Sequence, residues 1–310
     1  MKRRTYAFFV AAAVLLIAVT SRTTATAAEA QPSGKATRYT LRYQFQPGAI
    51  LRWKVEHQAN VETTISGTTQ TAETDSKSIK VWKVRGAEPG GPFTIEYSVE
   101  NLEMRQRLTG REEVRYNSQT DNKPPVGFED VAKTVGIPLS VVTLNAQGSV
   151  LERQDKRPRA ANQQQEGQIT IPLPKHPVAI GDQWKLPYEI DVTLRDGRHK
   201  KVRTRQVYTL KRVAHGVATL GVETQILTPI DDKAVEAQLV QRENAGEVHF
   251  DIKQGRIVGQ QMDLDKHVVG FSGPASSLHY VTRFSETLMR DTPQTARKLK
   301  PVAGPTLPPR

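Results

Sequence analysis

Leu51-Arg52-Trp53-Lys54-Val55-Glu56-His57-Gln58-Ala59-Asn60-Val61-Glu62-Thr63-Thr64-Ile65-Ser66 alternates along its whole length. Leu51, Trp53, Val55, His57, Ala59, Val61, Thr63 and Ile65 fall on one side, and Arg52, Lys54, Glu56, Gln58, Asn60 and Glu62 on the other. A period of two sustained this far predicts a long β-strand with one face on a core and one in water. Working outward, Trp184, Leu186, Tyr188, Ile190, Val192 and Leu194 alternate with Lys185, Glu189, Asp191, Thr193 and Arg195 in the same way. Each stretch follows a glycine turn, Pro47-Gly48 or Gly181-Asp182, and each runs into another, Ser66-Gly67 or Asp196-Gly197.

The two stretches read as the first strands of two copies. Partner strands are expected at Ser78–Val84 and Arg205–Val213, then at Phe93–Val99 and Val217–Ile226. Val142–Val150 and Val248–Ile257 are apolar alternations broken by Gln147-Gly148 and Gln254-Gly255, which predicts a hairpin in each half. Helical spacing occurs in two places, Pro125–Gly136 and Asp231–Gln241, the second with Asp231 as N-cap. The expected fold is therefore mainly β: two similar curved antiparallel units, half-barrel or sandwich-like, each with one short helix. Unit 1 is assigned to 39–155 and unit 2 to 169–290. The Gln- and Arg-rich stretch 156–168 reads as a linker, and 28–38 and the basic, proline-rich tail 291–310 as disordered segments.

The N-terminus reads as an address. Lys2, Arg3 and Arg4 precede the apolar run Tyr6–Val19, and Ala25-Thr26-Ala27 supplies an A-x-A exit, the three parts of a secretory leader spanning 1–27 with cleavage at Ala27. The run is shorter than the ~20 residues a bilayer span needs, so an uncleaved anchor is the second reading. The expected address is periplasmic or secreted, with no stable membrane span after cleavage. The chain of 310 residues carries 44 Lys plus Arg against 32 Asp plus Glu, a net charge of +12, and cleavage at Ala27 leaves +8. Outside the cytoplasm that charge is expected to meet anionic lipid headgroups, acidic polysaccharide or wall polymer, or simply to keep the protein soluble, with no nucleic acid as partner. The absence of cysteine excludes disulfides, thiolate metal sites and a cysteine nucleophile.

Two constellations stand out. Asp263, Asp265 and His267, with Gln261, share one face of a strand, and their donor types suit calcium, magnesium or manganese. The competing account is a solvated face opposite Met262, Leu264 and Val268. Arg195–Arg212 holds eight basic residues against Asp196 alone, with Lys201, Arg203 and Arg205 in a row on one face. That row is a candidate site for an anionic envelope component, or else a guarded edge neutralised by Glu189 and Asp191 from the preceding strand. Trp53, Trp82 and Trp184 lie in or near the apolar register and read as core anchors, and His57 reads as a core histidine. Metalloprotease, nucleophile-elbow and P-loop spacings are missing, so neither an enzyme nor a cofactor is expected.

Pro47-Gly48 with Arg52-Trp53, Lys80–Val84, Gly127–Ala132 and Gly181–Lys185 together resemble uncharacterised secreted bacterial proteins of a domain-of-unknown-function family, over roughly residues 39–290. The resemblance implies no activity and no catalytic residue. Its architecture is similar to periplasmic lipoprotein carriers of the half-barrel type. The function expected from these readings is non-enzymatic binding of a lipid-like, hydrophobic small ligand or an envelope partner on a concave sheet face. The alternatives are a wall-polymer binder acting through the 195–212 hairpin and a metal-dependent hydrolase with dispersed residues.

Overall fold

The structure is a computed structural model and describes residues 36–157 and 169–290. The leader 1–27 with its Ala27 exit, most of 28–38, the core of the 156–168 linker and the tail 291–310 lie outside the described residues. The strands are β1 (Ile50–Ile65), β2 (Thr68–Ala87), β3 (Phe93–Leu108), β4 (Val114–Asn117), β5 (Pro138–Leu144) and β6 (Val150–Asp155) in the first half. In the second they are β7 (Gln183–Thr193), β8 (His199–Ala214), β9 (Val217–Ile226), β10 (Ala245–Asp251), β11 (Arg256–Val269) and β12 (Ser277–Leu288). The mainly β expectation holds, and the long alternations at 51–66 and 184–195 are strands β1 and β7.

All twelve strands join one antiparallel sheet in the order β6-β5-β3-β2-β1-β12-β11-β10-β9-β8-β7, with β4 beside β3. The two expected units thus meet edge to edge: β1 pairs with β12 from Trp53–Leu288 to Thr64–Ser277. Hairpins are closed by two-residue loops wherever both residues accept positive φ. Ser66 and Gly67 lie at 51° and 80°, and His215 and Gly216 at 51° and 77°, the primed turn geometry that matches strand twist. The sheet ends in β6 and β7, and Pro187 inside β7 is tolerated because an edge strand has one side free of ladder bonds.

The sheet is strongly curled. Phe93 on β3 and Phe250 on β10 are five strand steps apart, about 24 Å on a flat sheet. Both rings nevertheless touch Tyr43, at 6.1 and 5.5 Å, so their centroids are at most about 12 Å apart. Tyr43 belongs to a strap, Tyr39–Phe45, that crosses one end of the curl. Leu41 and Tyr43 are fully buried, and one core contains them with Trp53, Trp82, Phe93, Val142, Tyr208, Leu220 and Phe250 from both halves.

Both helices lie where the sequence puts them but are shorter. α1 is only Glu129–Ala132, because Gly127 at φ 93° and Gly136 at 76° leave helical geometry and Gly136 N donates to Val99 O. α2 is Lys233–Leu239, continued by a 3-10 turn at Val240–Arg242. Its N-cap is Asp232, not Asp231: Asp232 is extended and its carboxylate accepts from Ala234 N at 2.9 Å. α2 packs Val235 and Leu239 onto Ile190, Val192 and Val202.

Candidate functional site

The curl forms a cavity of about 1250 Å³ that is partly open to the outside. Alternation supplies its wall: Trp53, Val55 and His57 from β1, Trp82 and Lys80 from β2, and Met262 and Leu264 from β11. Tyr280, Thr282 and Phe284 of β12 and Leu186, Tyr188 and Ile190 of β7 add to it, and β3, β6, β8 and β9 contribute Tyr97, Arg153, Tyr208 and Val222. At the strapped end the chain before β7 enters the wall through Ile169, Thr170 and Ile171, and Tyr43 Oη donates to Ile171 O at 3.0 Å while accepting from Thr170. Burial pushes the Tyr43 and Tyr208 phenols far above their ordinary range, so both are neutral. Gln241, Arg242 and Asn244, just after α2, also line the cavity.

A charged pair lies inside this apolar wall. Glu286 on β12 is 3% exposed and Lys80 on β2 is 16% exposed, and they form an ion pair across the intervening β1. The ammonium passes 4.7 Å from the Trp53 ring centroid and 5.1 Å from that of Trp82, a cation–π arrangement. The second carboxylate oxygen of Glu286 accepts from Gln260 Nε2 at 2.8 Å. Trp53 Nε1 donates to Ile257 O at 3.1 Å. Further along, Thr282 donates its hydroxyl proton to Gln58 O, so His57 Nε2, 2.9 Å from the same oxygen, is the donor between them. Burial lowers the His57 pKa, favouring the neutral ring.

Of the residues singled out from sequence, Trp53, Trp82, His57 and Asp263 line the cavity, whereas Lys201, Arg203, Arg205, Asp265 and His267 do not. Lys201, Arg203 and Arg205 project from β8 on the face opposite Val202, Thr204 and Tyr208, away from the cavity. Lys201 stands opposite Asp191 and reaches Glu189 at 3.1 Å, which raises its pKa, and Arg205 donates to Gln225 at 2.9 Å. Asp263, Asp265 and His267 alternate with Met262 and Leu264 along β11, and of the three only Asp263 reaches the cavity lining. Asp263 is held by Arg283 and Gln261, each at 2.7 Å, and its pKa is lowered by both. Asp265 meets His279 at 2.8 Å, and the His267 and His279 rings are 5.5 Å apart. Among the described residues no three His, Asp or Glu side chains come together as a metal site, and none of the described helices is long and apolar enough to cross a membrane. Reading by sequence missed Lys80, Glu286 and Arg153, although each carries a signal: a charge standing in the inward register of its strand.

No family model matches the chain, and no curated protein matches it. Among solved structures, OccK7 (OpdD) of Pseudomonas aeruginosa aligns at 9% identity over 79% of this chain and 99% of that chain. The TM-score of that alignment is 0.18, too low to speak for a common fold.

Proposed function

We propose that the protein is an exported, non-enzymatic carrier or sensor that holds a hydrophobic or amphiphilic small molecule inside its curled sheet. The observation that carries this reading is the cavity: about 1250 Å³ walled by Trp53, Trp82, Tyr188, Tyr208, Met262 and Phe284. That volume exceeds the ~300–1,000 Å³ typical of small-ligand sites and suits a molecule with an extended apolar part. The lining mixes these aromatic and aliphatic side chains with polar ones such as His57, Gln206 and Gln260, and an amphiphilic guest would cover the apolar part, which is costly to leave against water. The Lys80–Glu286–Gln260 cluster favours binding over catalysis, because its members are committed to one another. The basic leader motif before Ala27 supports export.

Native mass spectrometry tests the reading on protein expressed with its leader and recovered from the envelope of a bacterial host. The expected species begins between Ala28 and Gln31 and carries an apolar molecule released by organic solvent. A protein retaining Met1, with no bound molecule and no affinity for an apolar fluorescent dye, would remove both halves of the proposal.

A further inference from the structure

Three buried side-chain atoms among the described residues have no hydrogen-bond partner: Trp82 Nε1, Ser140 Oγ and Arg153 Nη1. They are not scattered. Trp82 on β2 stands opposite Tyr97 on β3, Tyr97 opposite Ser140 on β5, and Ser140 opposite Asp155 on β6. Arg153 is two residues from Asp155 on the same face, opposite Val142. Ser140 is therefore about 10 Å from Trp82 and about 8 Å from Arg153, Cα to Cα, by strand spacing and rise. Trp82 and Arg153 both line the cavity.

Two of the three atoms are one-sided. An indole N–H and a guanidinium N–H can only donate, and the serine hydroxyl is free to donate. Buried donors without acceptors are costly, and native proteins leave few of them unless something else supplies the acceptor. Arg153 Nε donates to Asp155 at 2.8 Å, which fixes the guanidinium plane while Nη1 stays unserved. The contrast with the other charged cluster is informative: Lys80 and Glu286 satisfy each other and ask nothing of a guest, whereas this wall asks for an acceptor.

We propose that the β2–β3–β5–β6 wall receives the oxyanion head group, carboxylate or phosphate, of an amphiphile whose apolar part fills the cavity, with Arg153 as its principal partner. This rests on the cavity being a ligand site. A guanidinium suits such a head because planar donors match oxyanion lone pairs and the pair is charge-assisted. Trp82, which lines the cavity as Arg153 does, then contributes a neutral donor that a bare cation site lacks.

The test uses the full chain and displacement of a bound apolar fluorescent dye by three probes with the same acyl chain: oleate, oleoyl lysophosphatidate and uncharged monoolein. The oxyanionic probes are expected to bind at least tenfold more tightly than monoolein, and the tighter of the two identifies the head as carboxylate or phosphate. Arg153→Gln should shrink that ratio to below about threefold, and Arg153→Lys should restore part of it. Trp82→Phe, which keeps an aromatic ring and deletes the N–H, should lower the ratio as well and serves if the Arg153 variants do not fold. No head-group preference in the wild type, or an equal loss for all three probes in Arg153→Gln, overturns the inference while leaving the cavity reading intact. Failure to bind dye or any probe overturns both.

Discussion

Lys80 and Glu286 are tolerated inside an apolar wall because each supplies what the other lacks, with Gln260 and the faces of Trp53 and Trp82 completing the shell. Desolvating two charges offsets most of their attraction, so the pair adds little net stability, but breaking it strands a buried charge. Glu286→Gln is accordingly expected to destabilise the protein by roughly 3–5 kcal/mol in urea unfolding, and Lys80→Met to do likewise. The double variant Lys80→Met/Glu286→Leu should recover most of that loss. Single variants that each cost under about 1 kcal/mol would mean the pair exchanges freely with water. The sequence shows Lys80 facing inward, in register with Trp82 and Val84, yet it cannot name a partner 206 residues away. Lys201 is the opposite case. Its neutralisation by Glu189 was legible because a short hairpin loop fixes the β7–β8 register locally, whereas the Lys80–Glu286 contact waits on closure of the whole sheet.

Between residue and molecule, the strap Tyr39–Phe45 is the element that seals one end of the cavity. Its backbone is tied to three separate loops: Tyr39 to Val178, Tyr43 N to Ala146 O at 2.8 Å, and Gln44 N to Gly255 O at 3.0 Å. The Gln-Gly turns of the two halves both lie beneath it. A Cβ on Gly148 would come within 2.6 Å of the Tyr43 ring and 2.8 Å of Ile171 O, and one on Gly255 within 2.6 Å of Gln44 N and 2.7 Å of Arg42 O. Both glycines also have positive φ, 82° and 61°. Gly148→Ala and Gly255→Ala should each cost ~1–3 kcal/mol from backbone strain, and more from the collision. Gly197→Ala, at φ 81° in open space, should show the strain alone. Hydrogen exchange at the Tyr43 and Gln44 amides is the direct readout: it should accelerate in the first two variants and stay slow in the third. If all three lose the same stability and the strap amides stay protected, the strap does not depend on close approach at these turns. The Tyr39, Leu41, Tyr43, Phe45 alternation went unread, and only the turns themselves were readable as hairpins. Their meeting was not, because nothing local says that an extended segment will cross the end of a sheet instead of joining it.

At the scale of the molecule the sheet is joined at its middle by β1 and β12, the first and last strands among the described residues. Most of the wall strands follow one another in sequence, but this seam brings residues such as Val55 and Glu286 side by side across the whole chain length. The consequence is mutual dependence. Residues 37–157 alone would expose the β1 ladder from Trp53 to Thr64 and would lose Tyr208, Leu220, Val248 and Phe250 from the shared core. An unpaired ladder and a core cut open are a poor basis for independent stability. The full chain is therefore expected to unfold in one cooperative transition, with circular dichroism and tryptophan fluorescence coincident. Limited proteolysis within 158–168 should leave two fragments that co-elute on size exclusion and retain the β signal together. Expressed separately, 37–157 should bind hydrophobic dye non-specifically and lack a sharp melt. Two resolved transitions in the intact chain, or a separately folded 37–157, would instead place a domain boundary at the linker and reduce the β1–β12 seam to a contact between finished halves. Because the seam joins the most distant parts of the chain, its formation should also limit folding, through the entropy of closing so long a loop.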